Sequence, residues 1–446
     1  MSRKFHGHWS SRLGFVLAAT GSAVGLGNIW KFPYMTGQSG GAAFVLVYLL
    51  CVTFIGVPIL VAEWMLGRRG QRNPVHTMAR LARQHGHGRQ WALVGGMGVL
   101  AAFLILSFYS VIGGWALAYI GKAALGGFDG LDKLAIAGDF ERFLARPMDL
   151  LRWHTLFMAL TVGVVALGVS TGIERASRLM MPALALILLV LVGYGMSTGS
   201  FLAGLRFLFA PDWSRLDAQV LLAALGHAFF TLSLGMGVMM AYGSYLGREV
   251  DLLRTARTVV FLDTLFALCA GMAIFPIVFA HGLDPASGPG LVFVTLPLAF
   301  GHMAGGVPVG TLFFLLLGFA ALTSSISLLE PVVELLEERT PLGRATATVT
   351  AGLGSWALGI AALLSFSLWS GVRLFDLNIF DLLDYVTSKL MLPLAGLGAI
   401  VFVAWKLDQR GVRAELGLGR PGFALWLLVA RFIAPLGVVF VFWSNL

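Results

Sequence analysis

Asp263 is a lone carboxylate in an otherwise apolar run, VVFLDTLFALCAG. An isolated charge at mid-membrane depth costs at least ~2.5 kcal/mol and needs a partner, so a bound cation or a proton is the natural explanation. Groups suited to that role recur in three other apolar stretches. Residues 20–33, TGSAVGLGNIWKFP, hold Gly21, Gly25 and Gly27, with Asn28, Lys31 and Pro33 directly behind them. Each Gly weakens a helix by roughly 1 kcal/mol relative to Ala. The helix is therefore expected to break here and to free the carbonyls of Gly21, Ala23 and Val24 beside the Asn28 amide. Backbone freed at that depth must be satisfied by protein or by a cavity, never by lipid. Residues 226–237, GHAFFTLSLGMG, set Thr231 and Ser233 ahead of Gly235 and Gly237 in the same manner. ALTSSISLLEP adds Thr323, Ser324 and Ser325, with Glu330 farther along. Singly, each hydroxyl reads as bonding to its own helix or joining two helices. Together they form an oxygen set for a hard cation such as sodium.

The elements that carry these residues follow from composition. The chain has 446 residues, 58% hydrophobic and 12% charged, whereas soluble domains carry about 25% charged residues. Recurrent apolar runs of about 20 residues are the pattern of membrane helices and not of a barrel. They fall near 12–37, 41–67, 91–122, 153–171, 175–197, 219–247, 254–281, 308–338, 344–368, 376–406 and 421–444. The interrupted spans are the first and the sixth. They are five spans apart, an odd number, so two five-helix units would cross the membrane in opposite senses, with a site at the midplane. The expectation is an all-α integral membrane protein of eleven transmembrane helices, an inverted five-plus-five repeat with helices 1 and 6 broken. Residues 1–198 would form the first repeat, 199–410 the second, and 411–446 an additional helix.

The net charge of +9 needs no nucleic acid. Arg68, Arg69, Arg72, Arg80, Arg83 and Arg89 follow the second span, and Lys406, Arg410, Arg413 and Arg420 follow the tenth. The positive-inside rule then sets the N-terminus in the cytoplasm and the C-terminus outside a multi-pass protein of the cell membrane. Arg3 and Lys4 before an apolar stretch, with SAVG within it, resemble a signal peptide, but the stretch is long, interrupted and followed by many spans. Cys51 and Cys269 lie inside spans, which implies neither a disulfide framework nor a zinc site. No nucleophile arrangement, metal-ligand spacing or phosphate loop points to an enzyme.

HWSSRLGFVLAATGSAVGLGNIWKFPY, FFTLSLGMG and ALTSS resemble the neurotransmitter:sodium symporter family, in particular its bacterial amino-acid transporters related to the leucine transporter. The resemblance covers spans one to ten. It implies two sodium sites: one of the Ala23 carbonyl, Asn28, Thr231, Asp263 and the substrate carboxylate, the other of the Gly21, Val24 and Ala320 carbonyls with Thr323 and Ser324. It implies that the amides of Leu26 and Gly27 and the Tyr109 hydroxyl meet the substrate carboxylate, while carbonyls of Ala23, Phe230, Thr231 and Ser233 receive its ammonium. Ile105, Tyr109, Phe230, Ser233, Met236, Ser324 and Leu328 would line the side-chain subsite. Asp263 stands where many members have Asn, and Ala267 where the leucine transporter has Glu. Asp263 thus supplies internally the charge for which other members need chloride, and no chloride requirement is expected. His227 replaces a Gln beside that site and is given no role.

Gly25 occupies the position of an Asp in monoamine transporters, which argues for an α-amino acid. The apolar lining excludes charged side chains, and the flexible Met236 suits large hydrophobic and aromatic ones. Lys31 and Asp384 match an outer gate pair, with Tyr109 and Phe230 as a lid beneath. Ser244, Tyr245 and Glu338 match inner gate positions, whose usual N-terminal Arg aligns with His6, leaving Arg3 or Lys4 to replace it. Gly172 and Pro182 have the spacing at which the family unwinds helix five. The function expected is sodium-coupled amino-acid import; the alternative is a membrane amino-acid sensor that binds with little transport. The partners are a small amino acid and the lipid bilayer, and no oligomeric state follows.

Overall fold

Backbone groups in hydrocarbon must bond within their own segment, so a chain this apolar folds as helices. The computed structural model describes residues 8–287 and 290–445. Nine of the described helices are long and apolar enough to cross a membrane: Ala42–Gly70, Arg89–Ala124, Pro147–Ala166, Val169–Ser197, Leu252–Ala280, Gly306–Arg339, Arg344–Leu364, Ile379–Lys406 and Arg420–Phe440. They are spans two to five and seven to eleven. Span one is a pair, Arg12–Ala23 and Gly27–Gln38, bent by 45° at the break. Span six is divided into Ala218–Thr231 and Val238–Ser244, each piece short of a full crossing. The protein is thus all-helical, and the helices expected to be broken are broken.

Side-chain caps set several starts: Ser11 accepts from Gly14 N–H, Asp217 from Val220 N–H, and Asp251 from Arg254 N–H. Each satisfies an amide left over in a first helical turn. Spans four and five meet earlier than expected. The turn falls at Gly168, whose φ of +93° suits glycine, and not at residues 172–174.

Prolines shape the helices in a second way. In five places a wide turn, in which an N–H reaches the carbonyl five residues back, comes just before a proline. Phe32, Val57, Leu296, Leu392 and Ala434 donate to Gly27, Val52, Leu291, Thr387 and Val429, directly ahead of Pro33, Pro58, Pro297, Pro393 and Pro435. A proline ring clashes with the carbonyl four residues back and has no N–H to give it. The extra residue in the turn makes room for the ring.

The broken spans lie inside the bundle. Phe15, Ala19, Val24 and Ile29 of span one are fully buried, and so are Leu232 and Leu234 in the break of span six. Span five shows a different face outward, with Leu179, Leu186 and Leu189 each more than 60% exposed. In a membrane protein such an apolar surface meets lipid.

Candidate functional site

The break in span one is shorter than the sequence implies. Helix Arg12–Ala23 ends where Val24 turns extended, at φ −75° and ψ 95°. Asn28, Lys31 and Pro33 are already helical again, and Pro33 is tolerated because the first turn of a helix needs no amide from it. Gly21 stays in the last turn of the first half, where carbonyls have no partner four residues ahead. In span six the helix stops at Thr231, and Ser233, Gly235 and Gly237 take φ of +52°, +73° and +69° before Val238. At Gly235 a Cβ would overlap the Leu392 carbonyl of span ten. Its N–H donates to Glu63 Oε1 at 2.7 Å.

Asp263, fully buried in span seven, draws three other spans together. Asn28 Nδ2 donates to its Oδ1 at 2.8 Å and Thr231 Oγ1 does so at 2.9 Å. Tyr48 of span two donates to Oδ2 at 3.2 Å. The Asn28 side-chain oxygen accepts from Gly25 N–H and lies 3.2 Å from Thr231 Oγ1. The carboxylate, the amide and the hydroxyl expected around a cation are therefore in mutual contact. His227 packs against Tyr48 with ring centroids 5.1 Å apart and the rings tilted by 45°, and among the described residues neither of its ring nitrogens has a hydrogen-bond partner.

A second oxygen cluster lies across the break. Thr323 Oγ1 is 3.0 Å from the Ala320 carbonyl and 3.4 Å from that of Val24. Gly21 is close by, since a Cβ there would touch Thr323. Ser324 Oγ donates instead to the Ser22 carbonyl at 3.2 Å. Ser325 follows the plainer reading of a membrane hydroxyl: it bonds to the Leu322 carbonyl and to Thr161 of span four. Glu330 belongs to neither cluster.

Between the breaks is a narrow cavity of about 20 Å³ whose lining includes Ala23, Gly25, Gly27, Ile105, Thr231 and Ser233. Met236, Ser324 and Leu328 complete its far side, and Tyr109 and Phe230 close one end. Every residue expected in the side-chain subsite lines this one cavity, including Ile105 and Leu328, which an apolar stripe alone would leave as packing. Tyr109 OH accepts the Leu26 N–H at 3.2 Å. At Gly25 any Cβ would overlap the Ser324 hydroxyl and come within 3.0 Å of Tyr109 OH.

Tyr109 and Phe230 also border a second cavity of about 50 Å³, which holds Leu26, Lys31 and Asp384. The expected ion pair is not formed: among the described residues no contact within 4 Å joins Lys31 and Asp384. Lys31 Nζ lies 4.5 Å from the centroid of the Phe230 ring, and Asp384 accepts from Ser388.

The opposite end is dense. Tyr245 OH donates to Glu330 Oε1 at 2.7 Å, and Arg344 bridges Glu330 and Glu337. Ser244 Oγ donates to Glu334 Oε1 at 2.9 Å. Glu338, expected with Ser244 and Tyr245, meets neither of them. It accepts from Asn73 N–H at 2.8 Å and lies 2.7 Å from His76 Nδ1, at the start of the surface helix Pro74–Gln84. Trp9 Nε1 donates to the Tyr242 carbonyl at 3.1 Å, and Glu174 accepts from Ser10 and Arg178. His6, Arg3 and Lys4 fall outside the described residues. Span five does not unwind between Gly172 and Pro182. A wide turn runs over Val169–Glu174, and helix Arg175–Ser197 carries Pro182 within it.

The sequence profile of the sodium:neurotransmitter symporter family matches residues 6–125 and 145–446. The chain belongs to that family. The symporter resembles the solved structure of MhsT in complex with L-phenylalanine, with a TM-score of 0.92 and 46% identity over 99% of this chain and 100% of that one. It is 40% identical to YhdH of Bacillus subtilis, an uncharacterised sodium-dependent transporter, across 99% of this chain and 98% of the relative. An uncharacterised sodium-dependent transporter of Haemophilus influenzae is 34% identical over 98% of both chains. The symporter is a sodium-dependent, multi-pass membrane transporter and not an enzyme. Ser22, Tyr48 and Glu63 are polar side chains at its site that the sequence reading missed.

Proposed function

We propose that the symporter uses inward sodium flux to import hydrophobic and aromatic L-amino acids by alternating access, without chloride. The observation that carries this reading is one cavity walled by both helix breaks, with the Asp263 cluster on one side and Thr323 on the other. Sodium is cargo here. One ion would be held by the Ala23 carbonyl, Asn28, Thr231, Asp263 and the substrate carboxylate. A second would be held by the carbonyls of Gly21, Val24 and Ala320 with Thr323 and Ser324. Support for two ions is that each oxygen cluster already gathers around a break without help from the other.

The substrate carboxylate would meet the Leu26 and Gly27 amides, where the second half of span one begins and its dipole favours an anion. Tyr109 OH, already on Leu26 N–H, would turn its proton toward that carboxylate. Gly25 leaves no room for the carboxylate side chain that an amine substrate would need. The rest of the lining is apolar apart from hydroxyls, which suits a large neutral side chain, and MhsT, at 46% identity, has been solved with L-phenylalanine. Asp263 keeps one negative charge beside the first ion and so removes the need for an added anion.

In this reading residues 1–198 and 199–410 are inverted repeats, 411–446 is an added helix, and the Lys31 end faces outward. Lys31 and Asp384 close above Tyr109 and Phe230. Ser244 and Tyr245 close the other end, with Glu338 reached through the surface helix. The test is uptake of labelled L-phenylalanine into proteoliposomes of the purified symporter. Accumulation above equilibrium is expected with an inward sodium gradient, in chloride-free buffer, and none without sodium. Binding with no gradient-driven accumulation would make the protein a sensor.

A further inference from the structure

The arginines that follow span two do more than set orientation. Span two ends at Gly70, and Arg68 and Arg69 occupy its last turn, where cations suit the helix dipole. Helix Pro74–Gln84, capped by Asn73, then lies with Met78, Leu81 and Ala82 buried and Arg80 exposed. Helix Gln409–Leu416, capped by Asp408, anchors Val412 and Leu416 and brings in Glu415. Together with Arg248, from the link between spans six and seven, these elements enclose a cavity of about 670 Å³.

Four guanidiniums line this cavity, against the single carboxylate of Glu415. That carboxylate is already shared, at 2.9 Å from Arg68 Nε and 2.5 Å from Arg69 Nε. Arg68 is also committed to the Val250 carbonyl at 2.6 Å and is almost wholly buried. Arg80 spends one N–H on the Gly70 carbonyl, and Arg248 is exposed. Among the described residues neither Arg80 nor Arg248 has a carboxylate within 4 Å. Asp408, a further acid that feels the Arg69 charge, is held by the Gly411 and Arg410 amides, which keep its carboxyl below the usual range. The cavity therefore carries uncompensated positive charge in a form that matches phosphate bidentately.

Its location narrows the ligand. His87, two residues beyond the cavity's His85, reaches the Lys406 carbonyl at the end of span ten. Beside it Trp405 is half exposed and lies under Arg431 at 4.9 Å. A half-exposed Trp next to a helix-ending Lys marks the boundary between hydrocarbon and headgroups. Basic pockets at that level suit anionic lipid headgroups.

We infer that this cavity is a binding site for a phosphate group, presented by an anionic phospholipid or by free phosphate. Arg80 and Arg248 grip the ligand, while Arg68, Arg69 and Glu415 hold the cavity's shape. The test uses the purified full-length symporter and two probes, phosphatidylglycerol and inorganic phosphate, with phosphatidylcholine as the neutral lipid. Bound molecules are counted by native mass spectrometry and checked by thermal shift. Phosphatidylglycerol should outbind phosphatidylcholine. Arg80→Gln with Arg248→Gln should weaken it by about five-fold per charge removed, while Arg142→Gln with Arg152→Gln, far from the cavity, should leave it unchanged. If millimolar phosphate displaces the lipid and loses binding in the same variant, free phosphate is a ligand of the same site. If the Arg80/Arg248 variant binds both probes like the parent, or the Arg142/Arg152 variant loses as much, the site is refuted.

Discussion

The two ends of the central cavity are closed by different physics. At the Lys31 end the barrier is a pair of aromatic side chains, Tyr109 and Phe230, with an ammonium over one ring and a cavity of about 50 Å³ above. At the Glu330 end aromatic stacking is not what holds the closure. Instead, Arg344, Glu330, Glu337, Tyr245, Ser244 and Glu334 interlock, and Trp9 is tied to Tyr242. A cation over an aromatic face contributes about 0.5–2 kcal/mol, whereas breaking a buried ion pair costs about 3–5 kcal/mol. The first end is built to open at little cost. The second needs several partners to let go together.

Four changes would break or sharpen this contrast. Arg344→Ala leaves Glu330 buried without its cation, and because Arg344 is partly exposed the lower figure applies, about 3 kcal/mol or over 100-fold. Hydrogen exchange in helix Arg12–Ala23 should speed up and gradient-driven uptake should collapse; exchange equal to the parent's would place the closure elsewhere. Asp263→Asn acts on the centre that both ends enclose. Removing its charge should lower uptake about 50-fold in chloride-free buffer, with partial recovery on adding chloride. Uptake unaffected by the change would rule out Asp263 as the charge beside sodium.

Lys31→Arg tests the loose end. A planar fork can reach Asp384 where an ammonium stays over Phe230, so substrate dissociation should slow a few-fold, measured by washout of labelled substrate. The smallest effect belongs to the loop helix Lys133–Leu144. The Lys122 ammonium, donating to Asp139, together with Arg142, holds the Asp139 carboxyl below its usual range. A depressed carboxyl stabilises the fold above its unfolded value and stops doing so as pH falls through the folded one. Exchange protection of that helix should therefore drop only below about pH 4, and Lys122→Met should move the drop to higher pH.

The sequence revealed the site's substance better than its joints. TGSAVGLGN and FFTLSLGMG located both breaks, because clustered glycines announce themselves, and Asp263 stood out as a charge without a neighbour. Glu63 offered the same signal in VPILVAEWML and was passed over. Tyr48 offered none, since a tyrosine in an apolar span reads as packing. The Lys31–Asp384 and Glu338 pairings are not made in this conformation for another reason: matching positions fix which residues share an end, while distances of a few ångströms depend on how loops and half-helices settle. Pro182 shows the limit from the other side. Helix Arg175–Ser197 absorbs it without unwinding, whereas five other prolines each force a wide turn.

Ser233 sits at φ +52°, where a side chain costs roughly a kcal/mol or more, and its hydroxyl holds the Ser22 carbonyl at 3.0 Å. The same residue faces the central cavity. Whatever changes there to suit a new ligand must also keep a contorted chain in place. Gly and Asn are the replacements the backbone accepts easily, and β-branched ones are the hardest. Over evolutionary time, or in a designed library, preference should drift through Met236, Ile105 and Leu328 first, with position 233 the last wall of the pocket to change.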